Sequence, residues 1–202
     1  KPRLAKAYNN RGLAYAAKED YDKAIADYTK ALEINPRYAS AYYNRGKVYA
    51  DKEDDDKAIA DYTKALEINP RLADAYYNRG VAYYWKEDYD NAIADFTKSI
   101  EINPMYDAAY NNRGNAYEDK GQYDKAIADF DRVLEIRPYG GRAYYGKARI
   151  YEKTGRIKEA ITEYKKFLQY AEPKYASYVD KAKIKIQELE KNKEGARNLK
   201  IR

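Results

Sequence analysis

An asparagine and an arginine stand side by side before a glycine once every 34 residues. A carboxamide offers both a hydrogen-bond donor and an acceptor, so it can satisfy a peptide group whatever side chain that peptide carries. A guanidinium can bind a carboxylate through two parallel hydrogen bonds. The pattern therefore places a hydrogen-bonding carboxamide beside a group suited to ion pairing. The asparagines are Asn10, Asn44, Asn78 and Asn112, and the arginines are Arg11, Arg45, Arg79 and Arg113.

The rest of the composition offers little for catalysis or metal binding. The chain has 202 residues and no Cys or His, so it lacks a thiol nucleophile, an imidazole base and the usual zinc ligands. The acidic stretch DKEDDD at 51–56 lacks the glycine and the distant glutamate of a calcium-binding loop. We therefore expect a protein that is not an enzyme, with no catalytic residue, metal or cofactor.

The net charge of +6 is concentrated at one end of the chain. Residues 174–202 carry +5 and residues 1–173 carry +1, which is more typical of a solvated terminal helix than of a phosphate-binding face. No long apolar run, signal peptide or lipidation pattern is visible. We expect no nucleic-acid or membrane partner. The sequence does not fix the cellular compartment, although it slightly favours a soluble cytoplasmic protein.

A 34-residue repeat organises these side chains. The stretch DKAIADYTKALEINPR at 22–37 is identical at 56–71, and a fixed period in this range is the signature of a solenoid. Each unit holds two stretches with apolar residues at helical spacing and a short turn between them, which predicts two antiparallel helices. The aspartates expected to cap the second helices are Asp22, Asp56, Asp90 and Asp124. The prolines expected to end them are Pro36, Pro70, Pro104 and Pro138.

The phase of the small, aromatic and proline residues resembles that of tetratricopeptide repeats. In the first unit the family's signature positions are filled by Tyr8, Gly12, Tyr15, Ala24, Tyr28 and Pro36. The second, third and fourth units repeat the pattern with Phe96 and Phe130 as the only changes of type, and the fifth follows it more loosely. The resemblance implies an all-α protein, a right-handed α-solenoid of antiparallel helix pairs.

The predicted boundaries follow the same phase. The five repeats are expected at 5–38, 39–72, 73–106, 107–140 and 141–174, followed by a polar-backed capping helix at 175–194. Together they would form a single solenoid domain over 1–194, with a frayed basic tail at 195–202. In the fifth repeat Pro173 comes one residue late and Lys158 replaces the capping aspartate.

The recurring arginine occupies a position where the family usually has leucine. An aspartate lies almost opposite it on the second helix of each of the first four repeats: Asp27, Asp61, Asp95 and Asp129. In the fifth repeat both residues change together, to Lys147 and Glu163. We therefore predict five ion pairs within repeats, with anion capture by the arginines as the alternative.

The recurring asparagine has a different expected role, which the resemblance implies. In this family the first helices line a concave groove, and an asparagine ladder there hydrogen-bonds the backbone of an extended peptide. The alternative is that the asparagines were inherited when the repeat was duplicated and contact only solvent. The peptide-binding residues predicted beside Asn10, Asn44, Asn78 and Asn112 are Tyr43, Tyr77, Tyr84, Trp85, Asn111, Asn115, Arg142, Tyr145 and Arg149.

Two of these predictions carry further detail. Tyr84 and Trp85 are the expected anchor for a ligand, although Trp85 could equally cover the turn of its own repeat. The residues that the chaperone-binding branch of the family uses to clamp a terminal carboxylate are absent, but an acidic partner stays open near Arg142 and Arg149.

The sequence thus predicts a non-catalytic scaffold that binds an extended segment of another protein. The alternative is a structural array that self-associates end to end, because the chain opens on a repeat helix without a visible cap.

Overall fold

A computed structural model describes the backbone of residues 2–199 and the side chains of residues 3–192. Within that range the regular structure is helical throughout. The helices are α1 Pro2–Ala16, α2 Tyr21–Ile34, α3 Ala39–Asp51, α4 Asp55–Ile68, α5 Ala73–Trp85, α6 Tyr89–Ile102, α7 Asp107–Asp119, α8 Tyr123–Ile136, α9 Gly141–Lys153, α10 Ile157–Tyr170 and α11 Ala176–Leu199, with a 3₁₀ turn at Pro173–Tyr175.

The helices pack in consecutive pairs, one pair for each predicted repeat. Neighbouring pairs stack within each unit, since α2 contacts α3 and α4 contacts α5 in the first part of the chain and α8 contacts α9 in the last part. This arrangement of stacked helix pairs confirms the predicted all-α solenoid class. The chain divides into two compact units, Lys1–Ala109 and Tyr110–Arg202, with the boundary inside α7. We call them the N-terminal and C-terminal units, and the single domain expected over 1–194 stays a prediction.

Close packing within a repeat depends on the small residue of its first helix. A Cβ atom added to Gly46 would lie 2.9 Å from the Tyr62 ring and 3.3 Å from the carbonyl oxygen of Ala58. The equivalent atom on Gly80 would lie 2.9 Å from the Phe96 ring. Because only a hydrogen fits at these positions, the two helix backbones approach closely and the ring is buried completely.

The predicted caps of the second helices were wrong by two residues. The N-cap residues are Asp20, Asp54, Asp88, Gln122 and Arg156, and the Asp54 carboxylate accepts the backbone N–H of Lys57 at 3.3 Å. Asp22, Asp56, Asp90 and Asp124 lie inside the first turn instead. There Asp22 pairs with Lys52 at 2.6 Å and Asp56 with Lys86 at 2.7 Å, each across to the following repeat.

The turn between the two helices of a repeat needs one residue in the left-handed region. In the first three repeats this residue is a glutamate, Glu19, Glu53 or Glu87, with φ of 58–59°. In the fourth and fifth it is Gly121 at φ 71° and Gly155 at φ 74°. A residue with a Cβ atom is strained in this region and glycine is not, so the turns of the N-terminal unit are strained where those of the C-terminal unit are relaxed.

The last helix is longer than the sequence indicated. The sequence predicted a capping helix at 175–194 and a frayed tail at 195–202, but α11 begins at Ala176 and continues to Leu199. Residues 200–202 of the predicted tail lie outside the described residues. The inner face of α11 buries Ala182, Ile186 and Leu189 against the fifth repeat. Its capping role stays a prediction.

Candidate functional site

Each recurring arginine forms an ion pair with an aspartate of its own repeat. Arg45 donates to both carboxylate oxygens of Asp61, from Nε at 2.7 Å and from Nη2 at 2.8 Å. Its Nη1 donates to the hydroxyl of Thr29 in the preceding repeat at 2.9 Å, and its side chain is only 18% exposed. The Asp61 hydrogen bonds raise the pKa of Arg45 above its usual value. This guanidinium is structural and has little left to offer an anion.

The same bidentate pair occurs in all of the first four repeats, as predicted. The other three pairs are Arg11 with Asp27, Arg79 with Asp95 and Arg113 with Asp129, at 2.6–2.8 Å. Arg79 repeats the contact to the preceding repeat through Thr63 at 2.9 Å.

The fifth predicted pair was wrong. Lys147 does not bridge to Glu163 but donates to Asp131 of the preceding repeat at 2.6 Å, and Glu163 accepts from Lys166 at 3.0 Å. Asp131 stands where Thr29 and Thr63 stand in earlier repeats. Lys147 therefore keeps a contact with the preceding repeat, through Asp131, but does not form the ion pair within its own repeat.

In the N-terminal unit, the predicted asparagines lie on the first helices α1, α3 and α5, which contact one another in sequence. The Asn44 amide donates to the Asn9 side-chain oxygen at 3.1 Å, and the Asn78 amide donates to the Tyr43 hydroxyl at 3.0 Å. Asn10 is exposed. We call these polar groups the amide row: Asn9, Asn10, Tyr43, Asn44 and Asn78.

The amide row therefore has a contact between repeats that the sequence analysis did not expect. A carboxamide has two N–H donors and an acceptor oxygen, and each contact with the preceding repeat uses one donor of Asn44 or Asn78. Both side chains are half-buried. The remaining donor and oxygen are still suited to a peptide group, so a ligand-binding role stays a prediction.

Tyr43 and Tyr77, on the same first helices, pack on aromatic rings of their own repeats. Tyr43 packs on the Tyr62 ring at 6.0 Å, and Tyr77 packs on Phe96 at 5.9 Å and on Tyr106 at 4.9 Å. Burial is the main cause that raises the pKa of Tyr43, so its hydroxyl stays neutral.

The two residues of the expected anchor, Tyr84 and Trp85, lie in different surroundings. Tyr84 contacts Tyr89 at the start of α6 at 5.6 Å, so Tyr84 covers the turn of its own repeat. Trp85 is the last residue of α5, meets only the edge of the Tyr84 ring at 5.9 Å and is 71% exposed. The indole is thus presented at the helix end, and its role as an anchor stays a prediction.

In the C-terminal unit, five predicted residues line one cleft along α9, with about 450 Å³ of empty space. They are Asn111, Asn115, Arg142, Tyr145 and Arg149, joined by Gly146, Phe167, Tyr175 and Tyr178. The fourth asparagine, Asn112, is half-buried beside the cleft, where Arg142 approaches its oxygen at 3.5 Å. Gly146 occupies the position that holds asparagine in the other repeats, so the asparagine pattern ends here.

The cleft continues between α9 and α11. This second part is lined by Tyr145, Arg149, Glu152, Lys153, Tyr164, Lys181, Ile184 and Lys185, and we call both parts together the α9 cleft. Glu152 accepts from the Tyr164 hydroxyl at 2.8 Å and pairs with Lys185 at 3.0 Å. Burial raises the pKa of Tyr145, so the ring at the centre of the cleft carries a neutral hydroxyl.

A buried glutamate that the sequence analysis missed holds one side of the α9 cleft. The side chain of Glu118 is 1% exposed and bridges Arg149 at 2.6 Å and Lys153 at 2.8 Å. The signal was available, since Glu118 occupies the position that holds Tyr84 in the third repeat, and Arg149 and Lys153 stand on the first helix of the next repeat. A search for opposite charges in neighbouring repeats would have paired Glu118 with these two cations.

Other classes of site find no support in the described part of the chain. Nowhere in it do three or more acidic side chains gather in a way that could hold a metal ion. Over the same residues, every helix is too short or too polar to cross a bilayer.

Family sequence profiles match nearly the whole array. Profiles described as tetratricopeptide repeat match residues 5–38, 27–60, 73–106, 108–139 and 141–173, and one described as TPR repeat matches 46–86. The chain belongs to the tetratricopeptide repeat family. This membership confirms the predicted family and supports a role in protein interaction.

Solved tetratricopeptide repeat structures resemble the chain over most of its length. Two crystal structures of MamA are 32% and 31% identical to it; they cover 81% and 88% of this chain and 95% and 97% of their own, with TM-scores of 0.77 and 0.80. YrrB, described as a TPR protein with an unusual peptide-binding site, is 26% identical and covers 86% of this chain and 90% of its own, with a TM-score of 0.75. No curated protein sequence matches the chain.

Proposed function

We propose that this tetratricopeptide repeat protein is a non-catalytic scaffold that binds an extended segment of a partner protein along its first helices. The observation that carries the proposal is the amide row, in which carboxamides on α1, α3 and α5 recur in one phase. Peptide groups need a donor and an acceptor at regular intervals, and a row of carboxamides supplies both.

The contacts between repeats favour such a ligand. The bonds from Asn44 to Asn9 and from Asn78 to Tyr43 hold each carboxamide in one orientation before a ligand arrives. A side chain that is already ordered loses less conformational entropy on binding. The peptide-binding site named for YrrB supports the same class of ligand.

The proposal can be tested by selecting ligands from a random 12-residue peptide library with the wild-type protein. The affinity of selected peptides is then measured by fluorescence anisotropy for the double variant Asn44→Ala with Asn78→Ala. Each lost bond to a neutral peptide group costs about 0.5–1.5 kcal/mol, so we expect binding about 5- to 150-fold weaker if the two losses add.

Two controls separate binding from folding. The variant Lys64→Ala with Lys98→Ala changes the second helices of the same two repeats and should bind as wild type. Asn10→Ala removes an exposed amide that has no bond to another repeat in the described structure, so it should weaken binding without lowering the melting temperature. If the library gives no ligand, or if all three variants bind equally well, the proposal is wrong.

Self-association is the second candidate function, and the exposed apolar side chains of α1 favour it. Leu4 and Leu13 are 53% and 45% exposed. Light scattering over a range of protein concentrations tests this alternative. A mass that rises with concentration in the wild type, but not in Leu4→Glu with Leu13→Glu, would favour an array.

A further inference from the structure

The α9 cleft differs from the amide row in charge. Its lining includes five basic side chains, Arg142, Arg149, Lys153, Lys181 and Lys185, and one acidic side chain, Glu152. Adding the buried Glu118 and Glu188, which pairs with Lys185 at 3.3 Å, leaves a balance of +2. A surface with this balance attracts acidic partners and repels basic ones.

Among the residues whose side chains are described, two of these cations have no carboxylate partner. Arg149 and Lys153 share Glu118, and Lys185 has Glu152 and Glu188. Within the described part of the chain, Arg142 has only a long contact to the Asn112 oxygen at 3.5 Å, and Lys181 lies 5.5 Å from the centre of the Tyr178 ring. Both side chains are exposed, so an incoming carboxylate can reach them without breaking an existing ion pair.

Aromatic rings form the floor between these cations. Tyr145 meets Tyr178 edge-on at 5.2 Å and Phe167 at 5.0 Å. Tyr178 is 44% exposed, which leaves part of its ring open to a ligand. Such half-buried rings are favourable contact sites for apolar or aromatic side chains because they are rigid and amphipathic.

Gly146 also lines the cleft, at the position that holds asparagine in the other repeats. A Cβ atom at Gly146 would lie 2.5 Å from the Phe130 ring, so the asparagine found here in other repeats does not fit. The chain therefore replaces an amide that reads peptide backbone with an open aromatic surface between cations.

We infer that the α9 cleft binds an extended acidic peptide, with carboxylate side chains near Arg142 and Lys181 and an apolar or aromatic side chain on the Tyr145 and Tyr178 rings. This inference rests on the proposed function and names the ligand class of one part of the scaffold. Arg142 and Lys153 mark the two ends of the cleft on α9, and the eleven-residue rise between them is about 16 Å, the span of about five extended residues. Cations spread over that length suit several acidic side chains better than one terminal carboxylate.

The test uses the full chain and a fluorescein-labelled, amidated eight-residue peptide of alternating Glu and Tyr. Its comparison peptide alternates Gln and Tyr, and an oligothymidylate of equal charge tests for unspecific attraction. Fluorescence anisotropy should show the Glu peptide binding about tenfold tighter than the Gln peptide. The variant Arg142→Gln with Lys181→Gln should lose about tenfold in affinity for the Glu peptide, as expected for two exposed ion pairs.

A charge-matched control comes from the same unit. Lys158→Gln with Lys183→Gln removes the same charge from exposed positions outside the cleft and should bind the Glu peptide nearly as wild type. Equal binding of the Glu and Gln peptides, no binding of the Glu peptide, equal losses in both double variants, or an oligothymidylate that binds as tightly would each overturn the inference.

The two proposals fail in different ways. If the random library yields ligands that depend on Asn44 and Asn78 while the Glu peptide does not bind, the scaffold proposal stands and the acidic ligand class is wrong. If neither the library nor the Glu peptide binds, both are wrong.

Discussion

The amide row and the α9 cleft are built on equivalent first helices but present different chemistry. The amide row is neutral, and two of its carboxamides, Asn44 and Asn78, are fixed by bonds to the preceding repeat. The α9 cleft has cations, open rings and a glycine in place of the asparagine. Under the two proposals, the near-identical repeats would offer a regular surface to a peptide backbone, and the divergent last repeat would offer a local surface to acidic side chains. Duplication would then supply the common framework, and divergence at a few positions would supply selectivity.

The largest expected effect concerns the packing that both regions share. Gly46→Leu should destabilise the protein by about 3 kcal/mol or more, because the new side chain would collide with Tyr62 and with the Ala58 backbone. Urea unfolding measures the change, and Lys47→Leu, at an exposed neighbour on the same helix, is the control. A loss of less than about 1 kcal/mol would mean that the helix pair can separate easily.

The next effect separates the two kinds of ion pair. Asp61→Ala leaves Arg45 largely buried without its carboxylate and should cost about 2–3 kcal/mol. Arg45→Leu should change stability by less than about 1 kcal/mol, since a dry apolar contact can replace the ion pair.

The C-terminal unit supplies the matched comparison for this pair. Asp131→Ala should cost less, about 1 kcal/mol, because the Asp131 side chain is half-exposed and the nearby charge of Glu163 still stabilises the largely buried Lys147. Thermal melts of the three variants decide the point, and equal melting temperatures for Asp61→Ala and Asp131→Ala would contradict it.

A smaller effect tests why the asparagine pattern ends. Gly146→Asn restores the repeated residue in the fifth repeat, and we expect a loss of about 2 kcal/mol because Phe130 must move. Chemical denaturation gives the value. If the variant is as stable as wild type, the Phe130 ring is not what excludes asparagine.

The smallest effect concerns the turns. Glu53→Gly should stabilise the N-terminal unit by about 0.5–1 kcal/mol, since glycine adopts a φ of 59° without strain but loses more entropy on folding. Gly121→Ala in the C-terminal unit should destabilise by about 1 kcal/mol for the same reason, although a Cβ atom there meets nothing within 4 Å. Differential scanning calorimetry of both variants would show opposite shifts, and shifts of the same sign would rule out backbone strain as the cause.

The fold could be predicted because its determinants repeat. Glycine, ring and proline positions recur in phase, and each has one mechanical reason to be where it is. The helix caps could not be placed with the same certainty. Each turn of the first three repeats offers two aspartates two residues apart, as at Asp20 and Asp22. Only the geometry shows which one precedes the helix and which one pairs with the next repeat.

The candidate site was harder to predict, since its residues depart from the repeat. Lys147 and Glu163 match in charge, yet the change from threonine to Asp131 supplies a nearer partner in the previous repeat. Five residues of the α9 cleft were predicted from their positions in the repeat. Tyr175 and Tyr178 were not, because they lie beyond the last repeat, where its period no longer fixes which way a side chain faces.

Arg45 and Arg79 each hydrogen-bond to residues of two repeats, and these contacts affect how the first three repeats unfold. In a linear array the unfolding free energy is a sum of terms for single repeats and for neighbouring pairs. Each of these arginines contributes to both terms, through its own aspartate and through the threonine of the repeat before it. Disorder in one repeat therefore removes part of the stability of its neighbour. We expect these repeats to lose amide-exchange protection together, as one cooperative segment, rather than to fray one at a time.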